Sequence, residues 1–183
     1  LMRIKGSLMD DAKILSAGKL AKLAVLPQSI LDAGKANPNC QACGLYEKSP
    51  APFTRTVIPG QWTGNTLIVV DRPAYSRVHK KGRPVVGDRV KRLHACLKAA
   101  KRGLQDTAMV SAVRCACRGE AKPTMKQIRA CRPFLLDAVM KTQPQQVVAM
   151  GIDAASGILN KRMNKLTSRR GRPLEIPGME SPP

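Results

Sequence analysis

Residues 107–140 read TAMVSAVRCACRGEAKPTMKQIRACRPFLLDAVM. Thr107 to Val113 is a short apolar run, the pattern of a buried strand. Thr124 followed by Gln127, just after Pro123, is a capping-box pattern that opens a helix to about Met140. Cys115 closes the strand and Cys131 falls inside the helix, so strand, cysteine, cap and cysteine follow one another in a single unit.

The same alternation continues on both sides. Upstream, Thr66-Leu-Ile-Val-Val-Asp71 is a continuous β-branched run suited to a strand buried on both faces, and Arg72-Pro73 stops it. Residues 88–102 read as a helix with Val90, Leu93, Leu97 and Ala100 on one face. Downstream, Gln146 to Met150 is a third strand closed by Gly151, a helix runs from about Asp153 to Arg162, and Arg172 to Ile176 is a candidate last strand. Strands alternating with helices predict an α/β fold, a three-layer α/β/α sandwich around a central, mostly parallel sheet. Residues 1–36 read as a helical N-terminal extension, with Leu15, Leu20, Leu23 and Leu26 at helical spacing before Pro27, and 37–183 as the α/β domain.

Lys and Arg number 32 against 12 acids, a formal charge of +20. A field of that sign attracts polyanions, and DNA contacted mainly through its phosphates is the expected partner. A membrane is not expected, because no apolar run approaches a span and no basic helix has a strongly apolar opposite face. Aromatics are only 3% of the residues, which argues against a platform that stacks single-stranded bases. Six cysteines without a signal-peptide pattern predict an intracellular, reducing compartment (cytoplasm or nucleoid) and metal ligation in preference to disulfides.

Asn37-Pro38-Asn39 is a turn that presents Cys40 and Cys43 on a loop, where two thiolates can meet one metal or cluster without strain. Cys115 and Cys131 complete a set of four, with Cys117 the alternative to Cys115. The spacing alone suits zinc and an iron–sulfur cluster equally. Cys96, on the apolar side of its helix, reads as a small core residue.

The stretch from Ser111 to Leu135 resembles the iron–sulfur, family 4-like uracil-DNA glycosylases, and the resemblance runs from about Cys40 to Pro173. Val113-Arg114-Cys115 and Cys131-Arg132-Pro133 are similar to the surroundings of that family's later two cluster ligands. Gly82-Arg83-Pro84-Val85-Val86-Gly87, Val147-Val-Ala-Met-Gly151 and Arg170-Gly171-Arg172 match further family motifs in order. The resemblance implies a uracil-DNA glycosylase-like domain over 37–183 with a 4Fe-4S cluster on Cys40, Cys43, Cys115 and Cys131.

The family's base pocket is largely replaced. Val85 stands where an aromatic side chain stacks the base, and Ser111 where an Asn reads the uracil edge; a hydroxyl lacks the paired donor and acceptor of an amide. The family's His-Pro loop has no counterpart, since no His follows His94. His79 and His94 read as surface groups or phosphate contacts. Asp71 keeps a carboxylate that can orient water, or that caps the turn after its strand. Where the family loop is acidic, this chain has Arg72, Arg77, Lys80, Lys81 and Arg83, and Lys161, Arg162, Lys165, Arg169, Arg170 and Arg172 form a second basic stretch. These groups predict salt-dependent, sequence-independent contact with phosphates.

The expectation is therefore a cluster-stapled DNA-binding protein with degenerate catalysis, acting as an accessory, processivity-type subunit in DNA replication or repair beside a DNA polymerase or other replication protein. Viral relatives in the wider superfamily suggest that use and a virus-encoded origin. The alternatives are an active, divergent uracil-DNA glycosylase using Asp71, and a zinc-stabilised nucleic-acid-binding protein.

Overall fold

A strand with apolar side chains on both faces has no face to give to water, so it belongs in the middle of a sheet. β2 (Thr66–Val70) is such a strand, buried throughout. β3 (Thr107–Ser111) pairs parallel on one side of it and β4 (Gln146–Met150) parallel on the other. The computed structural model describes residues 2–4, 40, 42–49, 58, 62, 64–73, 84–85, 88–103, 106–117, 121–173 and 176–177. Among them, β1 (Met2–Ile4) adds an antiparallel edge strand, and the sheet order is β1-β4-β2-β3.

β1 corrects the helical reading of the first residues. Met2 pairs with Ala149 and Ile4 with Val147, because the free edge of β4 offers backbone donors and acceptors that a short extended segment satisfies. Residues 5–36 of the expected helical extension lie outside the described residues.

Among the described residues four helices accompany the sheet: α1 (Leu45–Lys48), α2 (Asp88–Ala99), α3 (Met125–Thr142) and α4 (Ile152–Leu159). Side chains alternate across the strands. Leu67, Val69, Ala108, Val110, Val147 and Ala149 meet α3 and α4 on one face, while Ile68, Val70 and Val148 meet Leu93 and Leu97 of α2 on the other. This is the predicted α/β/α layering. From β2 the chain crosses one face through α2 to β3. It then returns over the other face through α3 to β4, on the far side of β2. Such a reversal makes a topological switch point at the carboxyl ends of the strands, the usual place for a ligand in this architecture.

The capping box forms as read: Gln127 N–H donates to Thr124 Oγ1 at 3.3 Å, and Thr124 N–H to Gln127 Oε1 at 2.8 Å. Trp62 Nε1 donates to the Thr142 carbonyl at 3.0 Å and ties the approach to β2 onto the end of α3.

Elsewhere the boundaries differ from the sequence reading. β3 ends at Ser111, two residues before Val113. α4 stops at Leu159, where Asn160 turns left-handed (φ 52°) and ends the helix. Arg172, Pro173 and Ile176 are not in a strand. Pro173 and Pro177 have no N–H for a ladder, and Ile176 instead inserts into the core under α3 and α4. Cys96 is exposed, not core. The buried stripe of α2 is only Leu93 and Leu97, and Cys96 lies about 100° around the helix from Leu97.

Candidate cofactor and nucleic-acid site

Pairing between β2 and β3 continues past both strands. Ala112 N–H donates to the Val70 carbonyl at 2.8 Å and Val113 N–H to the Asp71 carbonyl at 3.1 Å. That extension holds the buried segment 111–117 against the end of β2 and places Cys115 and Cys117 at the switch-point end of the sheet. Leu45, the first residue of α1, packs with Val113, Ile128 and Cys131. The loop carrying Cys43 is thereby seated beside α3.

Cys40, Cys115, Cys117 and Cys131 are buried and Cys43 is half-buried. Arg114 N–H donates to Cys131 Sγ at 3.4 Å. Burial pushes the Cys131 thiol up to about 11; that N–H and the Arg114 guanidinium pull it down, while Cys43 and Cys40 push it up. Cys131 thus lies within the electrostatic reach of both cysteines of the loop. Arg114 is itself only 2% exposed. Burial lowers its pKa, and Cys131, Asp137 and Cys115 oppose that shift. A buried guanidinium beside two cysteines is a cation placed for thiolates.

Cys117 is also pushed up by burial, with Arg72 lowering it and Asp153 and Cys43 raising it. The alternative third ligand therefore shares the same end of the sheet as Cys115. Among the described residues, no three His, Cys, Asp or Glu side chains are gathered tightly enough to hold a single metal ion. Four thiolates on zinc or on an iron–sulfur cluster make an anionic group. An all-cysteine donor set with a buried cation suits such an anionic group, and an N–H donated to a ligand sulfur is one of the features that tune it.

Asp71 turns toward α4. Its Oδ1 accepts the Ala154 N–H at 2.9 Å, and Asp153 N–H adds a second backbone bond. The helix has no cap of its own, since Gly151 occupies the N-cap position, so Asp71 supplies the negative group that a helix N-terminus favours. A Cβ built on Gly151 would fall inside the Asp71 carboxylate, and Gly151 has φ +122°. Only glycine permits this approach. Burial raises the Asp71 pKa and the neighbouring Asp153 carboxylate adds to the rise, against the bonds from Ala154 and Asp153 and the charge of Arg72. The expected local cap is thus a cap on a distant helix, and the carboxylate lies at the switch-point end of the sheet.

Ser111 and Val85 belong to the other face. Strand alternation puts Ser111 with Met109, and Val85 packs, half-buried, against the α2-side cluster with Met109 and Met150. Ser111 and Val85, the two positions that the resemblance set against base-holding residues, are on one side of the sheet, and Asp71 is turned to the other. The Ser111 hydroxyl is 1% exposed and has no hydrogen-bond partner among the described residues. His94 is exposed on α2, away from Asp71.

Of the predicted phosphate contacts, Arg72 is paired with the buried Asp153 at 3.5 Å. Arg77, Lys80, Lys81, Arg83 and also His79 lie outside the described residues. Arg169, Arg170 and Arg172 are all exposed on a tight turn after α4, in which Arg172 N–H reaches the Arg169 carbonyl at 3.3 Å and Gly171 takes φ +71°. Sequence reasoning missed two groups. Arg114 was visible only as a motif neighbour of Cys115, although an Arg flanked by Val113 and a candidate ligand is a signal for a buried cation. Arg132 donates to the carbonyls of Gly157 (3.1 Å), Ile158 (3.3 Å) and Pro177, clamping the end of α4 and the C-terminal segment to α3.

The family model for the Uracil DNA glycosylase superfamily matches residues 48–179. The chain is 25% identical over 141 residues to the type-4 uracil-DNA glycosylase of Pyrobaculum aerophilum, which covers 73% of this chain and 68% of the relative. It is 29% identical over 138 residues to the type-4 uracil-DNA glycosylase of Thermotoga maritima, covering 74% and 69%. With β2, β3, β4 and most of its length inside that match, the chain belongs to the uracil DNA glycosylase superfamily.

Proposed function

We propose that this chain is a DNA-binding member of the superfamily in which a 4Fe-4S cluster on Cys40, Cys43, Cys115 and Cys131 staples the N-terminal loop to the sheet, and in which base excision has been lost. The observation that carries this reading is the use of Asp71. Asp71, the carboxylate put forward for activating water, is held by α4 and faces away from Ser111 and Val85. Uracil excision requires a flipped base read on its Watson–Crick edge and a stabilised leaving anion. Loss of a single donor to such an anion costs about 10²-fold or more in rate. The chain's formal charge of +20 and the exposed Arg169, Arg170 and Arg172 support contact with duplex phosphates. An accessory role in replication or repair, with a polymerase as the protein to test for binding, follows from affinity without chemistry.

The deciding experiment is a single-turnover assay on a uracil-containing oligonucleotide with cluster-loaded protein, beside Asp71→Asn. DNA binding with no uracil release in either protein is the expected result. Release that disappears in Asp71→Asn defeats the non-catalytic reading and establishes the second one, an active divergent glycosylase. One observation favours that second reading: burial lifts the Asp71 pKa, as it does in many general bases. Brown colour and visible charge-transfer absorbance are expected of the purified protein; a colourless protein holding stoichiometric zinc would replace the cluster with a zinc centre.

A further inference from the structure

α2 is basic well beyond what its packing needs. It buries Leu93 and Leu97 against the sheet, and its remaining surface exposes Arg89, Lys91, Arg92 and Lys98, with Lys101 and Arg102 just past its end. The single acid of this segment, Asp88, is an exposed partner of Lys91 at 3.5 Å. Ala95, Cys96 and Ala99 between the bases are exposed and short, so nothing bulky holds a polyanion away from the charges.

The other basic surface is carried by the opposite layer. Residues 154–173 contain no acid, and Met163 and Leu166 anchor that stretch to the core on the α3 and α4 face. α2 covers the other face of the same sheet. Each helical layer is about 10–12 Å thick, so the two sets of cations are separated by the full depth of the sandwich.

We propose that the outer face of α2 is a second duplex-phosphate surface, and that one chain bridges two DNA segments. The inference rests on the DNA-binding reading above. Charge complementarity selects the occupant. A 12-residue helix is about 18 Å long, the axial rise of roughly five base pairs of duplex. A protein partner would need apolar or aromatic anchors, and the exposed large hydrophobic among the described residues, Met140, lies on α3. A membrane would need an apolar face turned outward, and that of α2 is turned to the sheet.

The test uses the full-length, cluster-loaded protein and two duplexes of unrelated sequence, one on beads and one fluorescent. The wild type is expected to carry the fluorescent duplex onto the beads. Replacing Arg89, Arg92, Lys98 and Arg102 by Gln should cut that capture about tenfold, change affinity for a single duplex less than about threefold, and leave the far-UV spectrum unaltered. Arg169→Gln/Arg170→Gln/Arg172→Gln should also lose capture. Binding to a single duplex without capture overturns the bridging proposal alone. Capture that survives the α2 substitutions also overturns it, because two chains each holding one duplex would then explain the result and the α2 face would fall to an acidic protein. Loss of all single-duplex binding in the α2 variant overturns it too, as α2 would then be the sole site. A wild type that binds no duplex removes the DNA-binding reading itself.

Discussion

Replacing Gly151 by Ala tests whether Asp71 is a structural cap. Two costs arise at one atom. The backbone at Gly151 (φ 122°, ψ 170°) lies in a region that side chains other than glycine enter at about 1–3 kcal/mol. The new Cβ also falls inside the Asp71 carboxylate, so the carboxylate must leave and the Ala154 N–H loses its acceptor, worth about 1 kcal/mol by analogy with cap deletions. A loss of about 3 kcal/mol is expected, which for a chain of this size lowers Tm by roughly 6–12 °C. Asp71→Ala alone should cost about 1 kcal/mol, since it removes the same cap and relieves a desolvated charge. The double variant should then be no worse than Gly151→Ala, because the cap can be lost only once, leaving a coupling of about 1 kcal/mol. Gly171→Ala is the control: Gly171 has φ +71° but open space around its Cβ position, so it carries only the backbone cost of about 1–2 kcal/mol. Thermal unfolding followed by circular dichroism at equal cluster loading measures all four variants. Full additivity of Gly151→Ala and Asp71→Ala, or equal losses for Gly151→Ala and Gly171→Ala, would show that the carboxylate does not hold α4.

Alanine at Cys40, Cys43, Cys115 or Cys131 should abolish visible absorbance and bound iron, whereas Cys96→Ala and Cys117→Ala should retain both; retention in Cys115→Ala with loss in Cys117→Ala would exchange the third ligand. Arg114→Gln removes the buried cation beside Cys131 and Cys115 and should lower iron and sulfide per chain, while Arg170→Gln leaves them unchanged. The raised pKa of Asp71 sets a pH dependence. Between its unfolded value of 3.8 and its higher folded value the native state binds the extra proton, so the contribution of this group to stability is present below that window and declines as pH rises through it. Asp71→Asn, which cannot ionise, should therefore gain stability relative to the wild type as pH is raised across the acid range in paired denaturant titrations; a difference that stays flat or moves the other way refutes the assignment.

What the sequence determined is what short-range chemistry controls. The apolar run at Thr66–Val70 required a central strand, the run at Gln146–Met150 required another, and Thr124 with Gln127 formed its capping box three residues apart. The order of strands and helices then left a layered α/β sandwich as the way to bury both faces of that sheet. The cysteines and their neighbours named the family, and the match over residues 48–179 shows it.

Only the tertiary structure decided where side chains end up when register and face are set by partners far away in the chain. Asp71 meets Ala154 across 83 residues, because parallel pairing of β2 with β4 aligns the end of one with the start of α4. Arg72 closes on Asp153 for the same reason. Cys96 sits on the apolar side of its helix by periodicity and yet is exposed, because α2 lays a narrow stripe on the sheet. Met2–Ile4 becomes a strand because β4 has an edge to fill. Arg114 becomes a buried cation because the β2–β3 ladder carries it under α3, where its backbone N–H meets Cys131 Sγ. Local sequence sets which element forms; long-range pairing sets which groups share a site, and the function turns on the second.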